Sequence, residues 1–270
     1  MITPIPAIPS ALVAGPVEIE IEDAIATVRV DNPPVNALGD AVIEALGEAA
    51  AQIVGSDTVR AVILTGAGER TFLAGADLNE FAGALGDTET MAAHAGLTRD
   101  VFGAWSALPV PIVVAVSGHA TGGGLEMALL CDLIVVDPRA RLGLPEITLG
   151  LIPGAGGTQR LPRRVGRGLA TRMLLLGTLL TAEEALAVGL VDQVAEPGQA
   201  LAEAGVLAPR LARASAPAVR AAKAALRAAA TEPLDQGLAQ ERDLFLGVAA
   251  GADAREGVTA FMEKRRPDFS

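Results

Sequence analysis

Twice in this chain a short β-branched run feeds a glycine-bearing loop, and that recurrence constrains the fold more than any other feature. In the first instance Val59–Leu64 ends in Thr65-Gly66-Ala67-Gly68, a loop continues through Arg70 to Asp77, and a helix is predicted over Glu89–Trp105. In the second, Pro109 and Pro111 bound Ile112–Val116, which runs into Ser117-Gly118-His119 and Gly122-Gly123-Gly124 before a helix over Leu125–Cys131. Buried strands alternating with helices predict an α/β core.

The flanking segments extend this pattern. Val17–Val30 alternates apolar and polar residues around Glu22-Asp23, the signature of a hairpin, and Asp40–Val54 has helical period. Leu133–Val136 and Arg141–Leu144 are short strand candidates, the second ending in Pro145-Glu146, and IPGAGGTQRLP is a further loop. Thr181-Ala-Glu-Glu is a capping box, and Leu190–Val194 is a last strand candidate. From Gln199 onward the pattern is helical throughout. The predicted division is a tail over 1–14, a strand-and-helix core over 15–195 and a helical subdomain over 196–270.

Composition removes several function classes. A chain of 270 residues, 51% hydrophobic and 20% charged, has material for a sizeable core. A net charge of -11 argues against a nucleic-acid partner, because phosphate-backbone binders carry a basic footprint. One cysteine, Cys131, excludes an internal disulfide, and with two histidines it cannot fill a usual structural zinc site, which fits a reducing cytoplasm. The opening MITPIPAIPSALVAG has no basic residue and is broken by Pro4, Pro6 and Pro9, unlike a secretory signal. No run approaches the ~20 apolar residues of a membrane span.

The catalytic inventory is narrow: no tyrosine, no G-x-S-x-G elbow and no Walker A ending. What remains is Gly122-Gly123-Gly124 followed by Leu125-Glu126. Glycines let a ligand approach the backbone, and the free N–H groups of a helix start, carrying roughly +0.5 of an elementary charge, favour an anion, as an oxyanion hole requires. The same cluster equally suits a tightly packed helix start, and Glu126 in a first turn is stabilised by the dipole without any catalytic task. Glu146 lies between apolar runs, either exposed on a loop or partly buried with the raised pKa that a general acid or base near neutrality needs.

Five segments in register, NPPVNAL (Asn32–Leu38), TFLAGADL (Thr71–Leu78), ATGGGLEMALLCDL (Ala120–Leu133), LPEITLGLIPGAGGTQRLPR (Leu144–Arg163) and EGVTAFMEKRRPDF (Glu256–Phe269), carry a family resemblance. From about residue 15 to the end, the chain resembles the enoyl-CoA hydratases of the crotonase superfamily. The resemblance implies a spiral of ββα repeats with C-terminal helices that build a trimer, often paired into a hexamer. It implies an acyl-CoA substrate, with coenzyme A as part of that substrate and no metal or redox cofactor. Matched position by position, Ala76 and Gly123 supply the oxyanion-hole N–H groups, and Glu126 and Glu146 are the acid/base pair. Val35, Ala74, Asp77, Leu78, Gly122, Pro145, Gly154 and Lys264 fall at substrate-binding positions. Retention of both glutamates favours hydration, a carbon–oxygen lyase reaction, over double-bond isomerisation, another acyl-CoA reaction on the same fold or a non-catalytic acyl-CoA-binding role, and the net charge of -11 argues against an RNA-binding role.

Departures from the family pattern are equally specific. Leu144 stands where a polar residue often precedes the loop glutamate, Asn79 replaces a lysine past the AGAD motif, and Pro33-Pro34 replaces a lysine-bearing stretch. Lys264, Arg265 and Arg266 are therefore the leading candidates for the coenzyme's phosphates. His119 reads as a partly buried, hydrogen-bonded residue and Asp132 as structural. Arg220, Lys223 and Arg227 fall on one helical face and read as a solvated stripe.

Overall fold

A computed structural model describes residues 15–269; the expected tail over 1–14 lies outside them. In chain order the strands are β1 (Val17–Glu22), β2 (Ile25–Val30), β3 (Ala61–Gly66), β4 (Thr71–Leu73), β5 (Ile112–Val116), β6 (His119–Thr121), β7 (Leu133–Val136), β8 (Arg141–Gly143), β9 (Leu180–Thr181) and β10 (Gln193–Val194). The helices are α1 (Asp40–Val54), α2 (Leu78–Ala84), α3 (Thr88–Ala107), α4 (Gly123–Ala128), α5 (Gly157–Val165), α6 (Arg167–Leu176), α7 (Ala182–Ala187), α8 (Ala200–Ala212), α9 (Ala216–Thr231), α10 (Leu234–Ala249) and α11 (Ala252–Met262).

Two sheets share the work. One has the order β1-β2-β3-β5-β7-β10, the other β4-β6-β8-β9. The hairpin β1–β2 is antiparallel, and from β2 to β10 the first sheet is parallel. Each turn of the chain lays one strand in each sheet, β3 then β4, β5 then β6, β7 then β8, before helical or loop structure leads to the next turn. This is an α/β spiral of the kind the resemblance implies, with helices gathered at the C-terminal end.

Both faces of the parallel sheet are covered, which explains why β3 and β5 are buried at every position rather than alternately. On one face Val62, Leu64, Val114 and Val116 join the main core with Phe72, Phe102 and Trp105. The Trp105 indole donates to the Leu46 carbonyl at 2.9 Å, so its one polar group is satisfied. On the other face Ala61, Ile63, Val113, Ala115 and Val135 meet Ala200, Ala204 and Ala208, whose four-residue spacing lets α8 lie close.

The structure corrects three expectations. The glycine loops contain strands, β4 and β6, of three residues each, too short for a periodic signal. The basic stripe of α9 is only partly solvated: Lys223 is 8% exposed, pairs with Asp132 and donates to the Val110 carbonyl at 2.9 Å. Arg220 and Arg227 are exposed, and Arg227 donates to the Ser106 carbonyl at 3.0 Å. Asp132 also accepts from the Ile112 N–H at 2.7 Å, so it ties α9 to the edge of β5. His119 is exposed rather than partly buried, although its Nδ1 accepts from the Arg141 N–H at 3.2 Å. Among the described residues no helix is long and apolar enough to cross a membrane.

Candidate active site

The two glycine loops are pressed against each other. A Cβ on Gly124 would stand 2.0 Å from the Leu73 carbonyl oxygen, and one on Gly75 would stand 3.1 Å from the Thr121 oxygen and 3.2 Å from the Gly123 nitrogen. Gly75 and Gly122 also take positive φ, 96° and 55°. Glycine is required here by close backbone approach, and the approach brings Ala76 beside Gly123.

The loop after β4 is pinned from its other side. Leu38 donates its N–H to the Gly75 carbonyl at 2.7 Å and accepts from the Asp77 N–H at 3.4 Å. Buried Asn36 donates to the carbonyls of Ala67, Thr71 and Phe72 at 2.9, 3.1 and 3.0 Å, joining the NPPVNAL segment to this loop. Among the described residues neither the Ala76 nor the Gly123 N–H has a protein acceptor. Gly123 opens α4, where an N–H has no intrahelical partner.

These N–H groups border a cavity of about 730 Å³. Glu126, Glu146, Ala76 and Gly123 all line it, as do Val35, Ala74, Asp77, Leu78, Gly122, Pro145 and Gly154. Lys264 does not; it follows α11 at φ 58° and is exposed. Its neighbour Arg265 is held by Glu256 at 2.5 Å and Glu263 at 2.7 Å, so this cation is already paired. Asp77 uses its carboxylate to cap α2, accepting from the Asn79 N–H at 2.8 Å.

The two glutamates sit in different surroundings. Glu126, on the first turn of α4, is 3% exposed and accepts through Oε1 from the N–H groups of Ala155 at 2.8 Å and Gly157 at 2.7 Å. A Cβ on Gly157 would meet Leu144 at 2.7 Å and Glu126 at 3.1 Å, so glycine makes room for this carboxylate. Burial raises the Glu126 pKa, while the two backbone bonds and the Arg160 charge work against that rise. Glu146 begins a 3-10 turn, Glu146–Leu149, and is half-buried; its Oε2 is buried with no hydrogen-bond partner. Burial, with a smaller contribution from the Glu126 charge, pushes its carboxyl up to about 7. Leu144, fully buried, offers it no bond.

Sequence reasoning missed several contributors. The Ala155 and Gly157 N–H groups that hold Glu126 lie in a segment read only as a loop. Arg160 donates to the Ala155 carbonyl at 3.0 Å, and its guanidinium fills the space above Gly156, where a Cβ would lie 1.8 Å away. A stripe of α3, Met91, His94, Ala95, Thr98 and Phe102, lines the cavity at helical spacing, a signal available in the sequence. Among the described residues no three His, Cys, Asp or Glu gather as a metal site would need.

A family profile described as "Enoyl-CoA hydratase/isomerase" matches residues 20–270. The chain is 45% identical over 235 residues to the 2,3-dehydroadipyl-CoA hydratase of Escherichia coli, covering 87% of this chain and 90% of that one. It is 36% identical over 252 residues to the crotonyl-CoA hydratase of Syntrophomonas wolfei, covering 93% and 96%. Among solved structures, an enoyl-CoA hydratase from Bacillus anthracis superposes with a TM-score of 0.90 at 37% identity, covering 94% of this chain and 98% of the other. DspI of Pseudomonas aeruginosa gives 0.91 at 36%, covering 95% and 97%. Spiral and site together define an enzyme of the crotonase superfamily. Within it, the chain belongs to the enoyl-CoA hydratase/isomerase family, close to the enoyl-CoA hydratases.

Proposed function

We propose that the protein adds water across the double bond of a 2-enoyl-CoA to give a 3-hydroxyacyl-CoA. The observation that carries this reading is one cavity lined by two unpartnered backbone N–H groups and two carboxylates of raised pKa. The hydratase names of the relatives support it. The thioester oxygen accepts from Ala76 and Gly123, which stabilise the negative charge that grows there as C3 is attacked. Glu126, with Oε1 fixed by two N–H groups, takes a proton from water through Oε2 while the water oxygen bonds to C3. Glu146, half protonated near neutrality, delivers its proton to C2. Proton exchange with solvent restores both carboxyl groups, and no metal or redox cofactor enters the balance.

The acyl-CoA lies against Val35, Ala74, Leu78, Gly122, Pro145 and Gly154, while Asp77 holds the loop. Lys264 is the candidate cation for a coenzyme phosphate. The exposed apolar residues Leu234, Leu238, Phe245, Leu246, Phe261 and Met262 of α10 and α11 support assembly into a homotrimer or a hexamer. Assay of the purified protein with crotonyl-CoA and 2,3-dehydroadipyl-CoA tests the reaction, read as loss of enoyl-thioester absorbance with 3-hydroxyacyl-CoA as product. A 3-enoyl product, or no turnover, would overturn it.

A further inference from the structure

From the oxyanion N–H groups a bound thioester has two ways to run. Past Val35, 39% exposed, and Ile152, 73% exposed, the cavity opens to solvent, as the large polar coenzyme requires. Toward α3 its floor is formed by Ile43 and Phe102, at 0% and 1% exposure, an apolar side suited to the acyl chain. The α3 stripe is apolar at Met91, Ala95 and Phe102, yet it carries His94 and Thr98.

His94 is held in place. Its Nδ1 meets Asp40 Oδ1 at 2.5 Å, and Asp40 does not line the cavity. Asp40 is fixed in turn as the first residue of α1, its N–H donating to Glu80 Oε2 at 2.9 Å where the cap residue Gly39 provides no side chain. With Nδ1 committed to Asp40, Nε2 is the ring nitrogen left for a ligand. A polar group on an acyl wall weakens binding of an all-hydrocarbon chain, which cannot replace the water bonded to it.

We propose that His94, positioned by Asp40, is a specificity-determining residue that meets the far end of the acyl group and favours chains that end in a hydrogen-bonding oxygen. Nε2 accepts from a terminal hydroxyl or, as an imidazolium, donates to a terminal carboxylate; both are oxygen-ended chains to the same ring. This rests on the hydratase reading for the orientation of the thioester, but its test does not depend on turnover.

The test is calorimetric binding of three saturated, unreactive thioesters of equal chain length: hexanoyl-CoA, 6-hydroxyhexanoyl-CoA and adipoyl-CoA. One or both oxygen-ended ligands should bind the native protein about tenfold more tightly than hexanoyl-CoA, as for one hydrogen bond retained. The arm that gains identifies hydroxyl or carboxylate. His94→Leu should abolish the difference, and Asp40→Asn should reduce it, with circular dichroism confirming that both variants fold. Equal affinities in the native protein, or a preference that survives His94→Leu, would overturn the proposal. A preference without any enoyl-CoA turnover would uphold it while overturning the hydration reading.

Discussion

Glu126 and Glu146 line one cavity, yet one carboxylate accepts two backbone N–H bonds while the other buries an oxygen that accepts none. The difference separates their proton chemistry. Two fixed donors favour the ionised form of Glu126 against its burial, as a base for water requires. At Glu146 burial outweighs the one backbone hydrogen bond that opposes it, and the carboxyl is pushed up to about 7. Both residues thus suit opposite ends of an addition across a double bond.

Replacing either carboxyl by its amide should abolish most turnover without unfolding the chain, since volume is nearly conserved. Glu126→Gln and Glu146→Gln are each expected to lose about 10²–10⁴-fold in kcat, the usual worth of a positioned acid or base. Steady-state kinetics with crotonyl-CoA, alongside thermal melts, checks this. Near-native rates in both variants would remove the assignment.

The pH dependence follows from the raised Glu146 carboxyl. A group that must be protonated to act loses activity as pH rises through about 7, so kcat/KM should fall on the alkaline side there. The stability effect has the same sign. Because the folded pKa lies above the ordinary value of 4.5, the native state holds the extra proton between those limits. The contribution is fully present below the unfolded value and is lost as pH rises through about 7. Glu146→Gln should flatten that slope in melts recorded from pH 4.5 to 8; an unchanged slope would show the shift to be absent.

Two glycine substitutions should fail in different ways. Gly124→Ala puts a Cβ against the Leu73 backbone, which cannot yield without parting the loops, and should cost about 1–3 kcal/mol in denaturant unfolding. Gly157→Ala presses on the Leu144 and Glu126 side chains, which can move, so kcat should drop more than stability. Equal effects of the two on unfolding would contradict the distinction.

Assembly is tested at the C-terminal helices. Phe261, at 85% exposure, is among the most exposed apolar side chains described, and a charge placed there as Phe261→Glu should weaken an oligomer while leaving the fold of one protomer intact. Light scattering across a dilution series reads the outcome. Truncation before Leu234 should abolish the trimer or cause aggregation; a soluble, active trimer from that shortened chain would assign assembly elsewhere.

Lys264→Ala probes the phosphates. A phosphate contact there would lie far from the reacting carbons, so KM should rise for a full coenzyme A thioester and not for a truncated pantetheine thioester, and the gap should shrink with added salt. Equal effects on both substrates would make Lys264 a structural residue.

Local chemistry settled much of this protein before any contact was known. The β-branched runs of β5 and β7, the hairpin of β1 and β2, the period of α1 and the capping box at Thr181 are written in adjacent residues, because a pleat, a helical face or a cap is decided within a few positions. The glycine loops and the two glutamates were legible as motifs. Tertiary structure alone decided the rest. β4 and β6 are three residues long and exist because neighbouring strands supply their hydrogen bonds. Lys223 is buried because Asp132, 91 positions away, meets it at the N-terminal end of β5. The raised pKa of Glu146 comes from burial of its carboxyl, and the grip on Glu126 from N–H groups 29 and 31 residues later. Desolvation and long-range pairing depend on which segments the spiral brings together, and no local pattern of residue types encodes that distance.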